Sequence, residues 1–228
     1  MNKDEIQKII SDIVIPKYVP GNFVSAYENI KGSVYGNKSI VEGYVDQRDM
    51  EVGKNVNQRG MIVKEHVIQI DMKVNGNVIQ KEMNIIKGFI DQRNMNVGKD
   101  VDQEGIIVKT HVYQNKINIS GNFYQEEACI GGDVDQGELN VEGIVSQTGM
   151  DVRGSVYQAN AKIGKLVADE DTIFSKYVLY NAKIGEFEGE ITVGDYLIEG
   201  ADIPKNMIKA LEEGKRRYQE KVKARKIA

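Results

Sequence analysis

The chain has 228 residues, 41% hydrophobic and 28% charged, with no Trp, five Phe and a formal net charge of −4. That length holds one elongated domain or two compact ones, and the scarcity of large aromatics argues against an aromatic-centred core. The mild acidity gives no overall case for nucleic acid, and no apolar run approaches the ~18 residues of a membrane span.

Residues 1–20 open the chain without the continuous apolar stretch of a secretory signal. Within them, residues 4–14 place Ile6, Ile9, Ile10 and Ile13 on one helical face, with Asp4 as N-cap and Pro16 beyond the end. A short amphipathic helix there is expected as a cap on whatever follows.

From residue 21 to 164 the chain is a repeat of eleven residues, in thirteen units, with one extra residue before Gly88. The third position is Val, Ile or Phe throughout, from Phe23 and Val34 to Val156, and the tenth is always Ile or Val. The eighth is apolar from Met50 onward, and nine units open with Gly. The fifth is Gln in the last eleven units, from Gln47 and Gln58 to Gln158. So strict a period signals a repeat architecture. Apolar positions alternating with Asp, Asn, Lys, Glu or Ser describe strands with one buried face.

Positions 6 and 7 break the alternation. A meander would need two-residue hairpin turns there, which favour Asn-Gly or an early Gly. Pairs such as Lys81-Glu82 and Glu126-Glu127 suit two consecutive positive φ angles poorly. The expected fold is therefore all-β and single-domain, a β-solenoid of 11-residue units with short N- and C-terminal helices. A trefoil or prism of three four-strand sets is the rival, because units from Gly43 and from Gly88 match four units apart. Winding lengths of 11, 22 or 44 residues are open, and 22 is favoured because eleven residues barely enclose a core.

Stacked at ~4.8 Å, the glutamines either form amide ladders like those of cross-β assemblies or line wet corners for reasons of shape. Residues 165–203 are expected as irregular final windings, with "ANAKIG" at 159–164 and "NAKIG" at 181–185. Residues 204–228 follow as a basic helix, with Ile208, Leu211, Tyr218 and Val222 along one stripe. Nine Lys or Arg against three Glu give this end a local charge of +6. Lys215, Arg216, Arg217, Lys221, Lys223, Arg225 and Lys226 are the candidate contacts for an anionic partner; otherwise this is a solvated helix packed on the solenoid.

Little else suggests chemistry. His66 and His111 occupy the second position of equivalent units and point away from the core, without an acidic cluster to complete a metal site. Asp46, Asp91, Asp102 and Asp135 recur at the fourth position, with Asn57 between the first two. No calcium-loop spacing accompanies them, and a solvated polar face is expected. Cys129 lies beside two acids that disfavour its thiolate; as the only cysteine it excludes an internal disulfide framework and fits a reducing cytoplasm. No phosphate loop, nucleophile elbow or metalloprotease motif is present. The expectation is no enzyme, no cofactor and no metal.

The phrase from Gly132 to Gly164 resembles the bactofilins, bacterial cytoskeletal proteins with a recurring V-x-G-x-V. The matching residues are Val141-Glu142-Gly143-Ile144-Val145 and Val152-Arg153-Gly154-Ser155-Val156. The resemblance implies a right-handed parallel β-helix and nucleotide-independent polymerisation through the helix ends. Together these readings lead to a cytoplasmic structural scaffold that self-associates or organises partners. The alternative is a binding module whose outer ladders recognise a repetitive ligand such as a glycan or a metal array, with Tyr113, Tyr124 and Tyr157 as candidate aromatics.

Overall fold

A computed structural model describes residues 11–26 and 28–227, with the backbone alone for residues 224–227. Two-residue strands at positions 3–4 and 9–10 of the units as far as Val134–Asp135, merging into longer strands from Asn140 onward, build a parallel β-solenoid of about eight turns. Val34 pairs with Val56, Val56 with Val78, Val45 with Val67 and Ile62 with Ile40, each 22 residues apart. One turn is therefore two units. The hydrogen-bonded neighbours form a 14-stranded and a 15-stranded sheet, called here sheets I and II. Every named pairing is parallel, which excludes the meander and the trefoil. The extra residue is absorbed at the bend Ile86-Lys87-Gly88, so the next pairings, Lys73 with Asn96 and Val78 with Val101, step by 23.

The corner at positions 5–8 is a β-turn. Met61 N–H donates to the Gln58 carbonyl at 3.3 Å, and Met150 N–H to that of Gln147 at 3.1 Å. Its position-7 residue takes the left-handed region: Asp71 (φ 57°), Glu82 (57°), Lys116 (59°) and Glu127 (53°) among others. The corners are thus more demanding than the sequence suggested, but only one of the two residues needs positive φ, unlike a type I′ hairpin. The other corner, at positions 1–2, needs Gly for proximity. A Cβ on Gly88 would stand 2.2 Å from the Glu65 carbonyl oxygen one rung below, and on Gly76 2.5 Å from that of Lys54.

Inside, positions 3, 8 and 10 form columns of Val, Ile and Met that are essentially inaccessible. The position-5 glutamines are equally buried, so the wet-corner reading gives way to the ladder. The ladder is double. Each mid-column Gln donates one Nε2 hydrogen to the Gln eleven residues earlier and the other to the Gln one rung earlier. Gln92, for example, donates to Gln80 at 2.7 Å and to Gln69 at 2.8 Å, and its Oε1 accepts from Gln103 and Gln114. Both hydrogens and both lone pairs of a primary amide are then used within the column. This removes the cost of burying it.

The ladder begins where position 5 first becomes Gln. Its last copies, Gln147 and Gln158, are followed in the stack by Ala168 and Leu179. Residues 165–203 contain no loss of strand: Ile173–Tyr180, Lys183–Gly189 and Thr192–Glu199 are among the longest strands of the protein. Their irregularity is one of spacing, with Lys162 pairing Lys183 and Ile173 pairing Thr192. At the other end, the expected helix over 4–14 falls largely outside the described residues. The described part is not helical, because Ile13–Val14 is a strand paired with Val34–Tyr35.

Helix α1, Lys205–Ile227, lies against the last rung. Its buried stripe is Met207, Ala210, Leu211 and Gly214. Ile208, expected on that stripe, is 37% exposed. Small residues decide the facing side: a Cβ on Gly214 would meet the Ile191 carbonyl oxygen at 1.9 Å. Tyr218 and Val222 are half-buried further along.

Candidate functional site: outer ladders and the terminal helix

The polar residues singled out in the sequence are mostly occupied by the fold itself. His66 Nδ1 accepts from the Phe89 N–H at 3.3 Å, and His111 Nδ1 from the Asp133 N–H at 3.0 Å. Position 2 does the same work with other residues: Asn55 Oδ1 accepts from Asn77 N–H, and Asp100 Oδ1 from Asn122 N–H, both at 2.8 Å. Asn, Asp, Ser and His recur there because the Gly corner leaves a backbone donor one rung above without a strand partner. The two histidines are members of that series.

The position-4 acids do not form the solvated face expected of them. Asp46 and Asp91 are buried, and each holds an arginine two residues on. Arg48 Nε and Nη2 reach the Asp46 carboxylate at 2.9 and 2.7 Å, and Arg93 reaches Asp91 at 2.8 and 2.6 Å. Asp102 shares Lys81 with Glu104. Nor do the acids stack directly. The column on sheet II reads Asp46, Ile68, Asp91, Tyr113, Asp135, Tyr157, because the four-unit duplication equals two turns. Among the described residues no group of three or more His, Cys, Asp or Glu could hold a metal ion. Tyr113 and Tyr157 share this column, while Tyr124 belongs to sheet I.

The basic residues of α1 divide into two groups. Lys215 Nζ bonds Asp195 at 2.6 Å and lies 5.6 Å from the Tyr196 ring centre. Arg217 pairs with Glu190 at 2.7 Å and donates to the Ile191 carbonyl at 2.9 Å. These two fasten the helix to the last rung. Arg216 and Lys223 are exposed, and Lys221 borders a groove with Asp151 and Arg153. Arg225 and Lys226 are on the final helical turn, with side chains outside the described residues.

Position 9 carries a distinction missed in the sequence. On sheet II the outward column runs Tyr18, Ile40, Ile62, Asn84, Ile107, Cys129. On sheet I it runs Asn29, Glu51, Lys73, Asn96, Asn118, Asn140. There Lys73 pairs with Glu51 at 3.0 Å, and Asn118 donates to Asn96 at 2.9 Å. The position-9 column is thus largely aliphatic on sheet II and polar on sheet I. The signal was present as an odd–even difference between units, but it is visible only once the turn is known to be 22 residues.

No helix among the described residues is long and apolar enough to cross a membrane. No family model, curated protein or solved structure matches the chain.

Proposed function

We propose that this chain is a non-catalytic structural protein, a rigid cytoplasmic rod that self-associates or organises partners. The observation carrying this reading is the double glutamine ladder. It commits the interior polar groups to one another and leaves the outer surface as columns of side chains set one rung apart. Repetition at ~4.8 Å suits contact with another ordered array better than it suits a concave reaction site. Arg216, Lys221 and Lys223, with Arg225 and Lys226, offer a second attachment point for an anionic partner. Helix α1 against the last rung favours lateral contact over joining through that end. Negative-stain electron microscopy at several salt concentrations tests the reading. Filaments, sheets or closed assemblies are expected, and isolated short rods under every condition would end the self-assembly half of it.

The alternative is a binding module for a repetitive ligand, supported by the outward amide row Asn96, Asn118 and Asn140 on sheet I. Binding to an oligosaccharide array, lost on replacing Asn118 with Asp, would favour it.

A further inference from the structure

We infer that the outer face of sheet II, along Tyr18, Ile40, Ile62, Ile107 and Cys129, is a contact surface for a second copy of this chain. This rests on the scaffold reading and names its partner and its surface.

The argument starts from a comparison internal to the molecule. Position 9 has the same local role on both sheets: it is the first residue of a two-residue strand, points outward, and precedes a buried position 10. Strand propensity favours β-branched residues equally on both. Yet only sheet II has them at this position, with Ile40 37% and Ile107 41% exposed and the aromatic Tyr18, at the head of the row, 57% exposed. The single polar interruption, Asn84, sits beside Ile86, which is itself exposed. Folding requires no such asymmetry, whereas an interface on one face does.

The protein already covers one end of this row. Beyond Cys129 the column continues to Asp151 and Ile173. There Tyr218 and Val222 of α1 flank a groove of about 310 Å³ lined by both residues. N-terminal to it the row is open among the described residues.

The occupant best matched to the open part is another solenoid. Only a surface with the same rung spacing meets the row at every step, and facing sheets pack at ~10 Å with interdigitated side chains. Six rungs at ~4.8 Å by the six residue steps from position 9 across the Gly bend to position 4, at ~3.3 Å, give roughly 570 Å² per partner, with the Asp46–Arg48 and Asp91–Arg93 pairs along one margin. Two such faces clear the ~1,000 Å² of a specific interface by a small margin. A two-fold axis through the face makes the contact self-complementary and closed. The modest area implies concentration-dependent association.

Sedimentation velocity over a micromolar concentration series tests this with the full chain, Ile62→Lys/Ile107→Lys, and Asn118→Lys as the sheet I counterpart. The wild type is expected to dimerise, the double variant to weaken this by more than about tenfold, and N118K to leave it unchanged. Maleimide labelling of Cys129 in the wild type gives a readout independent of any variant's folding, and it should slow as concentration rises. Self-association with undiminished strength in the double variant, or with unchanged Cys129 labelling, would overturn the surface and leave the scaffold reading standing. A wild type that stays monomeric throughout would remove self-association as well.

Discussion

The Tyr177 hydroxyl donates to Gln158 Oε1 at 2.6 Å and closes one column of the glutamine ladder. Tyr177 occupies position 3 of its rung, directly over Val156, so an apolar column supplies the cap for a polar one. Burial pushes the phenol far above its usual range, which keeps the hydroxyl protonated as a donor. The other column ends differently: Gln147 Oε1 has no partner among the described residues.

Tyr177→Phe should therefore destabilise the C-terminal rungs by about 1–3 kcal/mol, the cost of orphaning a buried acceptor. Ring packing against Phe174 is retained in the variant. Urea unfolding followed by far-UV circular dichroism measures the difference. A change under about 0.5 kcal/mol would mean that the cap contributes nothing net.

In the middle of the ladder the cost rises. Gln103 donates to Gln92 and Gln80 and accepts from Gln114 at 2.8 Å and Gln125 at 3.5 Å. Gln103→Leu conserves volume but leaves two buried Nε2–H groups short of an acceptor. A loss of about 2–5 kcal/mol is expected. Gln103→Leu unfolding at the wild-type urea midpoint would show that the columns tolerate gaps and add little to rigidity.

How much of this was legible follows from period. Positions 3, 8 and 10 declare themselves in any single unit, and so did the glutamine at position 5. What no single unit contains is the turn length. Without 22 residues per turn, Asp46 and Asp91 look like a carboxylate stack. In fact Ile68 separates them, and each takes its own arginine. The same missing number concealed the aliphatic row through Ile40, Ile62 and Ile107. The helix stripe was misread by one residue for another reason: hydrophobicity favoured Ile208, while the buried face is set by Met207, Ala210 and Leu211 and by the close approach of Gly214 to Ile191.

The corners offer a test of backbone strain. Glu127 is exposed, with φ 53°, a region that costs a non-Gly residue roughly 1–2 kcal/mol. Glu127→Gly should stabilise by about 0.5–1 kcal/mol after the greater unfolded-state freedom of Gly is deducted. Glu127→Val, β-branched at positive φ, should destabilise instead. Thermal melts of the pair decide it, and equal midpoints for Gly and Val would mean that the corner carries no strain.

The attachment of α1 is predicted to depend on pH. The Lys215 ammonium, bonded to Asp195, holds that carboxyl below its ordinary 3.8, with the Tyr196 N–H adding to the effect. A depressed folded-state value contributes attachment strength that is present above 3.8 and lost as pH falls through the lower, folded value. Both groups are solvent-screened, so the effect is local and leaves the solenoid intact. Hydrogen exchange on the full chain should show protection of residues 211–220 falling as pH is lowered through and below 3.8, while the strand amides around Gln92 and Gln103 hold theirs. Asp195→Asn should reduce that pH dependence to the part carried by the Arg217–Glu190 carboxylate pair, since the Arg217 bond to the Ile191 carbonyl holds no titrating acid. Undiminished protection at low pH in the wild type would assign the docking of α1 to Met207, Leu211 and the Arg217 bond to the Ile191 carbonyl.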